Sequence, residues 1–269
     1  MSFILGRNQP VKSNRMSIQN LYLISYLWLS IALVVHVTMF FITAPFGRHT
    51  TEKWGITINN KLAWVLMEAP SLFIMLYFLV LGSNSFHSYV WILFAFWIIH
   101  YINRTFIYPL RIKSTPKKMP LAIAMSGAFF NIVNAGLNGY FLSELASPLD
   151  YSSTWLSSAH FIVGASIFVI GMMINWKADT ILINLRKPGE TGYKIPQGFL
   201  FDYISSPNLF GEIIEWSGFA LMAYNLPALT FMVWTFANLV PRAKNHHDWY
   251  MKQFPEYPAK RKIVFPFLF

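Results

Sequence analysis

From Asn20 to Ile42 the chain carries no Asp, Glu, Lys or Arg. A helix rises 1.5 Å per residue, so an apolar run of this length crosses the hydrocarbon of a bilayer once. Further apolar runs lie near 62–82, 87–108, 120–142 and 158–178. Two weaker ones lie near 207–224 and 226–241, where Glu212 and Glu215 interrupt the first and Pro227 separates the pair. Charged residues make up 12% of the 269 positions, against about 25% in soluble domains, so there is too little polar surface to cover the chain in water. The expected fold is an all-α membrane protein of seven transmembrane helices in one domain, 1–269. No internal repeat or low-complexity segment is seen. The polar start leads into a full-length apolar run, so a cleavable signal peptide is not expected. Cysteine is absent, which removes disulfide and thiolate chemistry.

Lysine and arginine placement sets the orientation. Arg111, Lys113, Lys117 and Lys118 fall in 109–119. Lys177, Arg186, Lys187 and Lys194 fall in 177–206. Arg242, Lys244, Lys252, Lys260, Arg261 and Lys262 follow residue 241, whereas 83–86, 143–157 and 225 hold none. Alternation then puts the C-terminus in the cytoplasm and the N-terminus outside. Arg7, Lys12 and Arg15 dissent, and an eighth short interfacial helix would reconcile them. The formal charge of +10 sits in the gaps between apolar runs. That pattern fits membrane topology and anionic ligands rather than nucleic acid.

Ionisable groups inside spans are functional candidates. Glu68, within Trp64–Pro70, lies roughly 10 Å below the cytoplasmic face by helix rise, and Tyr101, on the following antiparallel span, roughly 12 Å. A carboxyl and a phenol therefore reach one depth on adjacent helices, either as a catalytic pair or as a hydrogen bond between helices. Three polar stripes gather at the same face: Asn175, Asp179, Leu182 and Arg186; Asn208, Glu212 and Glu215; Arg242, His246 and Tyr250. Snorkelling accounts for single arginines. Three convergent stripes mixing acid, amide and guanidinium fit a large anionic ligand better.

There is no G-x-G-x-x-G after a strand and no phosphate-binding G-x-x-x-x-G-K-[ST] loop. H-E-x-x-H is absent, and none of the seven histidines has zinc-ligand spacing, so no metal is expected. His36 and His160 read as ordinary polar residues facing the bundle.

Several strings resemble the steroid 5-alpha-reductase family. They are Ala63–Trp64 through Pro70, His100 through Tyr108, Leu185–Glu190, Tyr193–Gly198, Gly211–Trp216, and the end with Arg242, His246, Tyr250, Tyr257–Pro258 and Phe265–Phe267. The resemblance covers about 63 to the C-terminus and is thin over the first 43 residues. It implies a seven-helix fold enclosing NADPH from the cytoplasmic side. The substrate pocket, lined by the first four helices, would admit a steroid or other lipid enone from the bilayer. It further implies that Glu68 and Tyr101 bind the substrate ketone. Asn175, Asp179, Arg186, Tyr193, Asn208, Arg242, His246, Tyr250 and Arg261 fall on cofactor positions, with Lys117 as a further basic contact. Met67 stands where related steroid enzymes carry glutamine, and Ser126 where arginine is common.

The implied chemistry suits these residues. Hydride adds to the β-carbon of an enone when the developing enolate oxygen is stabilised, which a tyrosine hydroxyl and a protonated glutamate can do in a dry site. NADPH supplies the hydride. The cluster of Arg186, Arg242, Arg261 and nearby lysines carries more charge than one pyrophosphate needs, which favours NADPH over NADH. Alternative readings are a reductase of another lipid substrate (sterol ring, polyprenal or enoyl-CoA), a membrane methyltransferase, and a non-enzymatic lipid-binding or transport protein. The last predicts paired inverted repeats, which are not seen.

Overall fold

The computed structural model describes residues 15–43, 47–49, 54–83, 85–113, 118–187, 190 and 192–269. The basic residues Arg7, Lys12 and Lys117 lie outside them. Among the described residues the chain is mostly helical: α1 (Ile18–Phe41), α2 (Asn60–Leu81), α3 (Trp91–Ile102), α4 (Tyr108–Arg111), α5 (Leu121–Tyr140), α6 (Ser153–Leu156), α7 (Ala159–Asn184), α8 (Pro207–Ala223) and α9 (Leu226–Gln253).

Four helical segments are long and apolar enough to cross a membrane: Ile18–Phe41, Asn60–Leu81, Leu121–Leu145 and Ala159–Asn184. Their outward faces are apolar and exposed, as at Leu33, Val34, Phe73, Val80, Ile132 and Ile170. In water such a surface would drive association; in a bilayer it meets lipid. The protein is an integral membrane protein. The expected third run is helical from 91 to 111, because a π-helical turn (Asn103–Ile107) joins α3 to α4. The last expected run, 226–241, is longer than its apolar part: α9 continues through Pro241 to Gln253. Pro241 lacks the donor that would bond one turn back, yet the helix does not end there.

Two short strands fix where α2 and α5 begin. β1 (Thr57–Asn59) pairs antiparallel with β2 (Lys118–Pro120), Ile58 opposite Met119. α2 and α5 start directly from these strands, so both leave from one end of the bundle. Asn59 Oδ1 caps α2 by accepting from the Lys61 backbone N–H at 2.9 Å.

Glycines set the closest helix pair. At Gly171 a Cβ would fall 2.3 Å from the Glu215 backbone nitrogen, and at Gly211 one would fall 2.5 Å from that of Asn175. Gly164 against Met222 and Gly218 against Phe168 repeat the contact further along. α7 and α8 thus touch backbone to backbone, the arrangement small residues allow between membrane helices. Where α3, α8 and α9 meet, Trp97 packs against Trp216, Phe219 and Phe231 with ring centroids 4.7–5.4 Å apart. Its indole N–H is satisfied by Ser71 Oγ at 3.1 Å.

Candidate active site

A cavity of about 620 Å³ runs from the middle of the bundle to the end where α7 and α9 finish. Its volume lies within the range of small-molecule sites. It is lined at one end by Glu68, Tyr101 and Asn131 and at the other by Arg186, Arg242 and His246.

The inner end is a hydrogen-bonded chain across three helices. Tyr101 Oη donates to Asn131 Oδ1 at 3.0 Å, and Asn131 Nδ2 donates to Glu68 Oε2 at 3.1 Å and to the Met67 carbonyl at 2.7 Å. Glu68 and Tyr101 do reach one depth, as the rise arithmetic predicts. They are joined through Asn131 rather than directly. Asn131 belongs to a face of α5 that also carries Asn134 and Asn138, all buried. The i, i+3, i+7 spacing of these amides was the sequence signal for it.

Arg104 is the second residue missed from sequence. Its guanidinium lies 3.8 Å from Glu68 Oε1 and 3.5 Å from Asp179 Oδ2, and stacks over Trp64 at 4.6 Å and Tyr108 at 5.1 Å. Arginine suits this position because its planar, weakly hydrated cation can pair and stack at once. The signal was a charge inside an apolar run, by the same rule that picked Glu68. Arg104 lies in the π turn, a wide turn that often marks functional sites.

The three polar stripes separate into lining and supporting residues. Asp179, Leu182 and Arg186 on α7 and just beyond it, Asn208 and Glu212 on α8, and Arg242, His246 and Tyr250 on α9 line the cavity, as does Tyr193. Asn175 does not: its Nδ2 donates to the Asn208 carbonyl at 3.0 Å, one layer behind. Glu215, expected on the same face as Asn208 and Glu212, instead turns toward α3, where its Oε1 lies 2.7 Å from His100 Nδ1. Arg261 also stands behind the wall, its Cζ 5.2 Å over the Tyr257 ring, which stacks on Tyr250 at 5.2 Å and 7°. Arg186 donates to the Gly192 carbonyl at 3.0 Å and faces the Tyr193 ring at 5.6 Å. In the loop between them, Lys194 pairs with Glu190 and holds that carboxyl below the usual carboxylate range.

Of the two departures noted in the sequence, Ser126 turns back onto its own helix, donating to the Ile123 carbonyl at 2.8 Å. Met67 packs on Gly127, where a Cβ would fall 2.4 Å from the Met67 Cγ. Both residues line the cavity. His36, as expected, faces the bundle, its Nδ1 3.0 Å from the Ala237 carbonyl.

A family model described as 3-oxo-5-alpha-steroid 4-dehydrogenase matches residues 117–269. The chain is 44% identical over 233 residues to steroid 5-alpha-reductase DET2 of Solanum lycopersicum, covering 85% of this chain and 89% of that protein. The chain belongs to the steroid 5-alpha-reductase family. It is also similar to 3-oxo-5-alpha-steroid 4-dehydrogenase 1 of Bos taurus, 38% identical over 249 residues (91% of this chain and 95% of that one). The protein of that name from Homo sapiens is 40% identical over 226 residues, covering 83% and 86%. The family consists of oxidoreductases acting on CH–CH bonds, and the chain is an enzyme of that class. The matched region includes Asn131, the stripes of α7 to α9 and Arg261. The Glu68–Tyr101 end lies outside the family model but within the span over which most of the chain aligns with these relatives.

Proposed function

We propose that the protein reduces the C4–C5 double bond of 3-oxo-Δ4 steroids with NADPH. The reading rests above all on one cavity that joins a phenol, an amide and a carboxyl at its inner end to a cationic, hydrogen-bonding end. The outer end suits a phosphorylated dinucleotide. Arg186, Arg242 and His246 supply positive or donating groups, and Tyr193, Asn208 and Tyr250 supply hydrogen-bonding walls. Behind them Arg261 is 5% exposed, and its Nε and Nη1 have no hydrogen-bond partner among the described residues. A buried cation left with open donors is costly unless an anion approaches.

NADPH, when bound, would supply hydride to the β-carbon of the enone, and a proton from water or a relay would complete the saturated product at the α-carbon. The chain's own part is to hold the ketone oxygen. Tyr101 Oη, turning its proton from Asn131 Oδ1 to the ketone, and a protonated Glu68 donate to it, so charge that develops on the oxygen is met by two donors. Asn131 positions both: it accepts from the Tyr101 hydroxyl while no ketone is bound, donates to Glu68, and is itself anchored on the Met67 carbonyl. Arg104 fixes the Glu68 carboxyl from the other side and ties it to Asp179. Trp28, Phe130, Phe231 and Trp234 wall the cavity with aromatic surface and exclude water, which strengthens each polar contact inside.

The topology belongs to the same proposal. Seven spans form one domain, the N-terminus lies outside, and the cofactor end faces the cytoplasm with the C-terminus. The substrate side falls mainly to the first four spans and the cofactor side to the last three.

The deciding experiment is NADPH and NADH consumption by purified protein against a panel of lipid enones and enoyl thioesters, with product analysis. A 5α-reduced product from a 3-oxo-Δ4 steroid, formed faster with NADPH, is expected. Turnover of enoyl thioesters alone would overturn the substrate class. A reporter fused after Phe269 that reads outside would overturn the orientation.

A further inference from the structure

On α9 every fourth residue from 234 to 250 lines the cavity: Trp234, Asn238, Arg242, His246 and Tyr250. Neighbours in this stripe are about 6 Å apart along the axis. Asn238 stands where the aromatic part of the wall gives way to the cationic part. Its Oδ1 is shielded from solvent and accepts no hydrogen bond among the described residues. A buried amide oxygen left open costs free energy, and a native structure retains one where something else completes it.

The surrounding wall cannot complete it. The Trp234 indole N–H is donated to the Trp28 carbonyl at 2.9 Å, and the Trp28 indole N–H to Asn134 Oδ1 at 3.2 Å. The Thr235 hydroxyl donates to the Phe231 carbonyl at 3.0 Å. Val35 and Met39 of α1 and Leu239 of α9, which also line the cavity, have no donor to offer. α1 packs alongside α9 at this level, since His36 contacts the Ala237 carbonyl. Within this apolar stretch the donors of Trp28, Trp234 and Thr235 are committed, and the Asn238 amide oxygen is left open among the described residues.

We propose that Asn238 is a specificity residue that pairs with a hydroxyl carried by the substrate away from its reacting ketone. A hydroxyl suits either end of an amide, because it can donate and accept. A site built to hydrogen-bond a hydroxyl discriminates strongly against the analogue lacking it, since the protein group is then buried unpaired. Asn238 thus lets an otherwise apolar chamber select among enones of similar shape. The proposal rests on the reductase reading for its substrate class.

The test uses full-length wild-type protein and Asn238→Leu, which keeps the side-chain volume and suits a membrane helix. With NADPH saturating, kcat/KM is measured for 3-oxo-Δ4 steroids carrying one hydroxyl on ring C, on ring D or on the side chain. Each is compared with the same steroid lacking it. Quenching of tryptophan fluorescence gives the matching dissociation constants without turnover. Wild-type protein should favour at least one hydroxylated steroid by about tenfold or more. Asn238→Leu should erase that ratio, and Asn238→Ser should keep part of it. Should Asn238→Leu not fold, Asn238→Ala serves in its place. An equal preference in wild type and variant would overturn the proposal, as would no preference in wild type. A variant that weakened NADPH binding while keeping the hydroxyl preference would assign the amide to the cofactor instead. If no steroid turned over but wild-type binding still discriminated through Asn238, the reductase reading would fail and this proposal would stand.

Discussion

The Tyr101 hydroxyl donates to Asn131 Oδ1 at 3.0 Å, so a phenol on α3 is aimed by an amide on α5. The same amide cannot rotate without losing its bonds to Glu68 and the Met67 carbonyl. Tyr101→Phe should keep NADPH binding and lower kcat by about 10²–10³, the usual loss of one oxyanion donor. Asn131→Leu should lower kcat in the same direction. The double variant should lose much less than the product of the two, because both changes disable one unit. Multiplicative effects would mean that Asn131 does not act through Tyr101. Glu68→Gln, which keeps a donor, should be milder than Glu68→Leu, which should abolish turnover in a protein that still folds and binds nucleotide.

Arg104 holds two carboxyl groups and two rings at once. Arg104→Met would leave the Asp179 carboxylate without its cation and the Glu68 carboxyl without its neighbouring guanidinium, a change of about 3–5 kcal/mol for a buried pair. The melting temperature in detergent should fall and activity should be lost. Arg104→Lys restores charge without the planar stack and should lie between the two. A melting temperature unchanged in Arg104→Met would show the pairing to be energetically idle.

The helical scaffold could be read from the sequence because a bilayer imposes one length and one polarity on each crossing. Glu68, Tyr101 and the α9 stripe were legible for the same reason, since polar residues at helical spacing stand out against an apolar background. Arg104 escaped because a single arginine near the end of an apolar run reads as snorkelling, although the rule that picked Glu68 covers it. Glu215 was misplaced because its partner His100 sits on another helix more than a hundred residues away, where no local spacing points. Asn175 and Arg261 fall behind the wall because a periodic face says which side a residue takes, not how near it comes. Loop placement depends on contacts that no local pattern encodes, as with Tyr193 folding over Arg186.

At the cofactor end, Arg186→Ala should raise the KM for NADPH while kcat at saturation changes little, since Arg186 sits far from Tyr101 and Glu68. If the basic cluster reads the extra phosphate, the same change should narrow the preference for NADPH over NADH. Steady-state kinetics with both nucleotides check this, and an unchanged preference would move phosphate recognition elsewhere.

His247 ties the C-terminal end of α9 to the loop before α8, its Nδ1 2.6 Å from Ser205 Oγ, which also accepts from the Tyr257 hydroxyl at 2.7 Å. Burial pushes its pKa below the ordinary 6.5. The unfolded chain then binds a proton before the folded one does, so the contribution of neutral His247 is full above about pH 6.5 and is lost as pH falls below it. The melting temperature of wild-type protein should drop over that window. His247→Asn, which keeps a hydrogen-bonding side chain but does not titrate, should flatten the drop. An equally steep fall in the variant would place the titration on another group.

Gly164, Gly171, Gly211 and Gly218 leave α7 and α8 no room for even one methyl between them. A substitution at Gly164 or Gly218 would therefore pivot the whole pair and carry Asp179 and Asn208 with it, about 15–22 Å away along the helices. In a catalogue of inactivating variants, such changes would weaken nucleotide affinity and be scored as binding-site lesions, although neither glycine lines the cavity. The useful coordinate for sorting genotypes in this enzyme is position along the seam between two helices, more than distance from the reacting atoms.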